Sequence, residues 1–308
     1  MTTSTRIRRT AFGAVAAASM IALSACGGSS SSSASGSASG STAPLPSISA
    51  DASLAAGVPE AIKSTGKLQF GTDASYAPME FIAEDGSTIV GADIDLGNAI
   101  AAKLGLQGEW ANSNFDALIV GVTNGKFNAS MSSFTINAER EKQVNMVSYL
   151  SAGTSWAVQT GNPAGVNPKE ACGKSVGVQK ATVQADDIAA RSKACTDAGK
   201  PEINVQVFTL QSDVTTALTS GKVDAMLADS PVVAYAIQQT GGKLEQVGDV
   251  YDSAPYGVVV PLNEQPFAQT VQKAVQALID EGSYKQILAK WGLENGAITT
   301  SQLNPPAS

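Results

Sequence analysis

Residues 123–134, TNGKFNASMSSF, and residues 219–230, TSGKVDAMLADS, align without gaps. In each copy a helix-like segment, FDALIVGV or DVTTAL, stops near a glycine, Gly125 or Gly221. A lysine follows, and then a short strand-like run. Ser133 and Asp229 fall at equivalent positions at the C-terminal ends of those strands. A chain that repeats one helix–strand unit in this way is constrained to two lobes of related construction. Strand-like and helix-like segments alternate through the rest of the body, so the expected class is α/β with mostly parallel sheets.

The remaining segments fit that frame. KLQFGTD (67–73) reads as a first strand, and Asp85-Gly86 between apolar runs signals a hairpin. Ile94, Leu96, Ile100 and Leu104 gather near one helical face, with Gly105 suited to the position past its end. Open α/β sheets bind ligands outside the carboxyl ends of their strands, so two facing lobes would set Ser133 and Asp229 on opposite walls of one cleft. Strands near 155–159 and 255–261 are expected to cross between the lobes and form a two-strand hinge. The late helices (264–282 and 283–292) then return to the first lobe. The expected division is 57–154 with 253–296 as the first lobe, 155–252 as the second, and 297–308 as a C-terminal tail.

The N-terminus carries Arg6, Arg8 and Arg9, an uncharged run from Ala11 to Ala22, and Leu23-Ser24-Ala25-Cys26. This is the pattern of a signal peptide over 1–25 ending in a lipobox, with Cys26 as the lipidated residue. The stretch after it, through residue 50, is almost entirely Ser, Gly, Ala and Pro, and residues 26–56 are expected to form a flexible tether. Such a chain works outside the cytoplasm, held by lipid to the outer face of the cytoplasmic membrane.

Without residues 1–25 the net charge moves from −7 to about −10, because three arginines are lost and no acids. An acidic body with no basic stripe argues against nucleic acid. The chain has no histidine, which removes His-based catalysis and His-based metal sites; no metal and no cofactor are expected. Cys172 and Cys195 form an even pair in an exported chain and are expected to be disulfide-bonded, since a helix packed back along its strand brings their segments together.

Several polar residues stand where a ligand would be held. Asn137 is a plausible N-cap that puts Arg140 in a first helical turn, against the preference of the helix dipole. A bound carboxylate would account for it; pairing with Glu139 or Glu141, or plain solvation, would serve as well. Thr182 is an N-cap before VQADDIAA, with free backbone donors beside it. Asp229 suits an ammonium, or a turn. Asp73, Tyr76 and Phe115 offer a carboxylate between aromatics for the far end of an elongated ligand, or else a capped loop over lobe core.

With these segments in this order, the chain resembles the polar amino-acid-binding proteins that feed ABC importers. The resemblance runs over about residues 60–292 and is carried by GTDASYAPMEF, VGADIDLGNAIAAKLG, FDALIVGVTNGKFNA, SSFTINAERE, GVQKATVQ, SGKVDAMLADSP and GSYKQILAKWG. It implies a two-lobed periplasmic-binding-protein-like fold of type II and a monomeric receptor that passes an amino acid to a membrane permease. It also implies that Arg140 and the Thr182 region hold the ligand's α-carboxylate, and that Asp229, Ser133 and Thr135 hold its α-ammonium. Asp73, Tyr76, Ser132, Phe115 and Gln179 would line the side-chain end. Asp73 favours a cationic side chain, while Gln179 keeps a neutral amide open. Ala92 departs from the family's usual aromatic, and QVNMVSYLSAG replaces its acidic-aromatic run before the hinge. The alternatives are a dehydratase-like enzyme on the same bilobed scaffold, or the ligand-sensing subunit of a signalling system.

Overall fold

A computed structural model describes residues 46–306. The expected signal peptide, Cys26 and most of the tether lie outside the described residues. Among the described residues, no helix is long and apolar enough to cross a membrane.

The strands are β1 (Lys67–Thr72), β2 (Ser75–Tyr76), β3 (Glu80–Ile82), β4 (Ile89–Val90), β5 (Gln107–Asn112), β6 (Ala129–Ser130), β7 (Val144–Gln159), β8 (Ser175–Gln179), β9 (Asn204–Phe208), β10 (Ala225–Asp229) and β11 (Leu244–Pro261). The helices are α1 (Ala52–Ala56), α2 (Glu60–Lys63), α3 (Ala92–Lys103), α4 (Phe115–Thr123), α5 (Ala138–Glu141), α6 (Val183–Asp197), α7 (Gln211–Thr219), α8 (Ser230–Gln239), α9 (Gln265–Asp280) and α10 (Ser283–Trp291). Eight strands pair in the order β5-β1-β6-β11-β7-β10-β8-β9, and β2-β3-β4 form a small separate sheet through the expected hairpin at Asp85-Gly86.

The strand order explains the internal echo. On one side β1 lies parallel between β5 and β6; on the other β8 lies parallel between β9 and β10. The echoed strands β6 and β10 hold the same place in each half, each antiparallel to a long strand, β11 or β7. Helices α3 and α4 connect the first three-strand unit, and α6 and α7 the second. This is one β-α-β-α-β design built twice, the mixed α/β architecture expected of a two-lobed type II fold.

The long strands β7 and β11 pair with each other along most of their length, from Pro261↔Val144 to Leu244↔Gln159. Their register slips between Val247 and Tyr251 and again between Tyr251 and Ala254. At that point Gly153 passes so close to the partner strand that a Cβ there would lie 2.6 Å from Val250 Cγ1 and Ser253 Oγ. Beyond the slip, residues 154–158 already pair with β10, while Pro255–Pro261 lie against the first half of β7. The crossing therefore sits at about 152–154 and 251–254, displaced from the expected 155–159 and 255–261. Apolar runs mark a strand but not where its pairing slips. On this pairing we propose the division given above, 57–154 with 253–296 and 155–252, for the two lobes.

Burial follows the two-residue period of the strands. In β10, Ala225 and Leu227 join a core with Trp156, Val158, Val176 and Ile188, while Met226 and Ala228 turn to the opposite core. Phe115, Leu118, Phe127, Phe134 and Met146 form the matching cluster of the first lobe. Both faces are covered, as parallel sheets require.

One terminal expectation is corrected. The tether does not extend to residue 56: Asp51 caps α1 by accepting from the Ser53 and Leu54 N–H groups, and Ile48 and Leu54 pack against the core. The tail after 297 is docked along β7. Ser148 N–H donates to the Gln302 carbonyl and Asn304 N–H to the Met146 carbonyl, both at 2.8 Å. It thereby covers backbone that would be an open sheet edge.

Cys172 and Cys195 are disulfide-bonded, tying the loop before β8 to the last turns of α6 across 23 positions of sequence. Closing a loop of that size constrains the unfolded chain by about 3 kcal/mol. Chemical denaturation with and without reductant is expected to differ by that amount; equal midpoints would show that the bond adds nothing.

Candidate functional site

The cleft is built where both parallel units end. Asp73 follows β1 and is 2% exposed. Its Oδ2 accepts from the Phe115 N–H and from Gln179 Nε2, each at 2.9 Å, so it caps α4 and reaches the other lobe at once. Its own N–H donates to Ser132 Oγ at 3.0 Å, and Ser132 Oγ donates to Glu80 Oε1 at 3.1 Å. Ser133 sits beyond β6 with φ 53, a left-handed conformation that a serine adopts only when its surroundings hold it. Its N–H donates to Asp93 Oδ2 at 3.0 Å.

Arg140 lies in α5, whose N-cap Asn137 accepts from the Arg140 N–H at 2.9 Å. Its guanidinium is 8% exposed and sits 5.4 Å from the ring centroids of both Phe115 and Phe134. Nη1 donates to the Thr135 carbonyl at 2.7 Å and Nη2 to the Ala181 carbonyl of the other lobe at 3.2 Å. The local alternatives fail: Glu139 pairs with Lys142 instead, and Arg140 makes no ion pair among the described residues. Burial pulls the guanidinium down to about 10, opposed by the field of Asp229, so it stays charged at neutral pH.

The second lobe supplies the facing wall. Gln179 ends β8, and Thr182 caps α6 by accepting from the Ala185 N–H at 3.1 Å. Asp229 ends β10 at 5% exposure. Its Oδ2 accepts from the Tyr76 hydroxyl of the first lobe and its Oδ1 from Gln184 Nε2, both at 2.8 Å. Burial raises the carboxyls of Asp73 and Asp229 above their ordinary range. Glu80, fully buried, is pushed well above it by burial and then by the charge of Asp93.

The lobes are closed on each other. Besides Tyr76–Asp229, Gln179–Asp73 and Arg140–Ala181, Lys180 pairs with Asp116 at 2.8 Å and the Gln211 N–H donates to Ser75 Oγ at 3.1 Å. The narrow space left between them is lined by Asp73, Tyr76, Phe115, Ser132, Ser133, Thr135, Arg140, Gln179, Thr182 and Asp229, with Glu80, Val183 and Gln184 completing the wall.

The profile of the bacterial extracellular solute-binding proteins, family 3, matches residues 68–294. The chain belongs to this family. It is 37% identical to the arginine-binding protein ArgT of Corynebacterium glutamicum over 248 residues, covering 80% of this chain and 81% of that one. An ancestral arginine-binding protein bound to arginine superposes with a TM-score of 0.67 at 34% identity, over 73% of this chain and 98% of its own. An ancestral arginine-binding protein bound to glutamine gives the same TM-score at 32% identity, over 73% and 97%.

The structure of this solute-binding protein brings all ten sequence-derived ligand candidates to one cavity. Glu80, Val183 and Gln184 were missed. Glu80 lies within the quoted APMEF, one of several acids in a short polar hairpin, and only folding selects it as the buried one. Gln184 was hidden inside a helix reading, although its place two residues past the Thr182 cap was a usable signal.

A carboxyl whose folded pKa exceeds its unfolded value binds its proton more tightly in the fold, so stability falls as pH rises through the folded value. Asp93 stands at about 6 against an ordinary 3.8, raised by burial, and Asp73, Asp229 and Glu80 shift the same way. No histidine titrates in that window. The ligand-free protein is expected to be more stable at pH 5 than at pH 7.5, by on the order of 1 kcal/mol or more. A denaturant midpoint that rises over this interval would contradict the assignment.

Proposed function

We propose that the cleft binds an L-amino acid with a cationic side chain, arginine first among them. The observation that carries this is the charge balance: one buried cation, Arg140, faces three buried acids, Asp73, Glu80 and Asp229. An α-carboxylate held by Arg140 beside the Thr182 end of α6 leaves Asp229, with Ser133 and Thr135, for the α-ammonium. Asp73 and Glu80 then remain at the far end, between Tyr76 and Phe115, and a guanidinium or ammonium there would neutralise them. The arginine-binding names of the relatives support the same ligand.

That the chain is a receptor that binds amino acids for an ABC transporter rests on its family and relatives, and an extracytoplasmic location follows from the same family. The finer reading is that lipid on Cys26 holds it, as a monomer, at the outer face of the cytoplasmic membrane, where it hands its ligand to the permease. A dehydratase-like enzyme would return altered ligand after incubation; this receptor returns it intact.

Arg140→Ala removes the carboxylate anchor from a desolvated pair and is expected to weaken L-arginine binding by about 2–5 kcal/mol, roughly thirty- to several-thousand-fold. Calorimetric titration reads this, with circular dichroism confirming the fold. Unchanged affinity in the folded variant would overturn the assignment.

A further inference from the structure

Asp93 does not line the cavity, yet it is 1% exposed and stands directly behind Glu80, which is fully buried. The backbone presses the two together. The Ala92 and Asp93 N–H groups donate to the carbonyls of Pro78 and Met79 at 3.0 and 2.9 Å. Gly91, at φ 141, permits this approach, because a Cβ there would lie 2.1 Å from the Met79 carbonyl oxygen.

Asp93 Oδ2 accepts from the Tyr149 hydroxyl at 2.7 Å and the Ser133 N–H at 3.0 Å. Its Oδ1 is buried with no donor when both carboxyls are ionised, while its carboxyl is within hydrogen-bonding reach of Glu80. Apart from Asp93, the Glu80 carboxyl accepts, among the described residues, from the Ser132 and Ser133 hydroxyls alone, at 3.1 and 3.5 Å. The charged and titratable neighbours from the surrounding elements are Asp73, Tyr76 and Tyr149, with Asp229 lining the same cavity. Arg140 donates to the Thr135 and Ala181 carbonyls rather than to this pair. Two buried carboxyls within hydrogen-bonding reach of each other, with no cation paired to either among the described residues, cannot both stay charged. One proton between them supplies the donor that Asp93 Oδ1 lacks. The better donors stabilise charge on Asp93, which leaves the proton on Glu80.

We propose that Glu80 and Asp93 share one proton in the ligand-free cleft and release it when a cationic side chain docks against Glu80. Asp93, a positioning residue that never touches ligand, thereby makes the choice between cationic and neutral side chains depend on pH. The inference rests on the cationic-site reading above. The balance is simple: the proton leaves the Glu80 carboxyl for the buffer as the ion pair forms, and no other bond changes. Because binding releases a proton, affinity for a cationic ligand rises with pH, by up to about tenfold per unit while the pair is protonated. A neutral ligand gains nothing.

The test is calorimetric titration of the wild-type protein at pH 6.5 with L-arginine and with L-glutamine, in phosphate and in Tris buffer, whose ionisation enthalpies differ. The expected result is close to one proton released per arginine and none per glutamine. Glutamine presents the same α-ammonium to Asp229, so that group cancels in the comparison. Asp93→Asn and Glu80→Gln, each checked for folding by circular dichroism, are expected to abolish the release and flatten the pH dependence of arginine binding. Arginine binding without proton release would overturn the inference alone. Release that persists in either folded variant would also overturn it, by assigning the proton to Asp73 or Asp229. Failure of arginine to bind at all would overturn the cationic-site reading and this inference with it.

Discussion

Two strands, β7 and β11, hold this molecule together as a device. They pair with each other from Val144 to Gln159, and each also seats the echoed strand of one lobe, β6 on β11 and β10 on β7. Every residue of the cleft is positioned relative to that ribbon. The register slip between Val247 and Ala254 and the Gly153 contact locate the soft point between two stiff ladders. A ribbon that is continuous yet locally irregular lets lobes move as bodies while keeping their strand ends opposed.

The electrostatics of the cleft follow from this opposition. Residues that end strands in one lobe find partners in the other: Asp73 with Gln179, Tyr76 with Asp229, Arg140 with the Ala181 carbonyl. Ser133 and Ala181, both at positive φ, mark backbone held in place by its surroundings on either wall. Burial then does two things. It raises the carboxyls, so they resist being charged without a partner, and it deepens what a correctly charged ligand gains by supplying one. On the proposed reading the wall acids act as a filter for charge, and Arg140 fixes which end of the ligand enters where.

Much of this was legible in the residues themselves. The echo of TNGKFNASMSSF in TSGKVDAMLADS exposed the doubled architecture, and the strand order matches it because β6 and β10 hold equivalent places. The caps at Asn137 and Thr182 were readable because Asn and Thr have a local hydrogen bond to make. What could not be read depends on long-range packing. Glu80 and Asp93 look like ordinary polar residues of a hairpin and a first helical turn, and only the approach of Gly91 to Met79 buries them together. The docking of the C-terminal tail could not be read because its pairing with β7 uses backbone rather than side-chain pattern. The register slip itself was similarly hidden, since it leaves no apolar signature.

The central claim is that the acidic end of this cleft reads charge as well as shape. It is tested most directly by comparing calorimetric affinities for L-arginine and L-citrulline, which share length and α-groups but differ in the charge of the terminal group. The account predicts that arginine binds at least roughly a hundredfold more tightly, about 2.7 kcal/mol. Equal affinity for the two would contradict it.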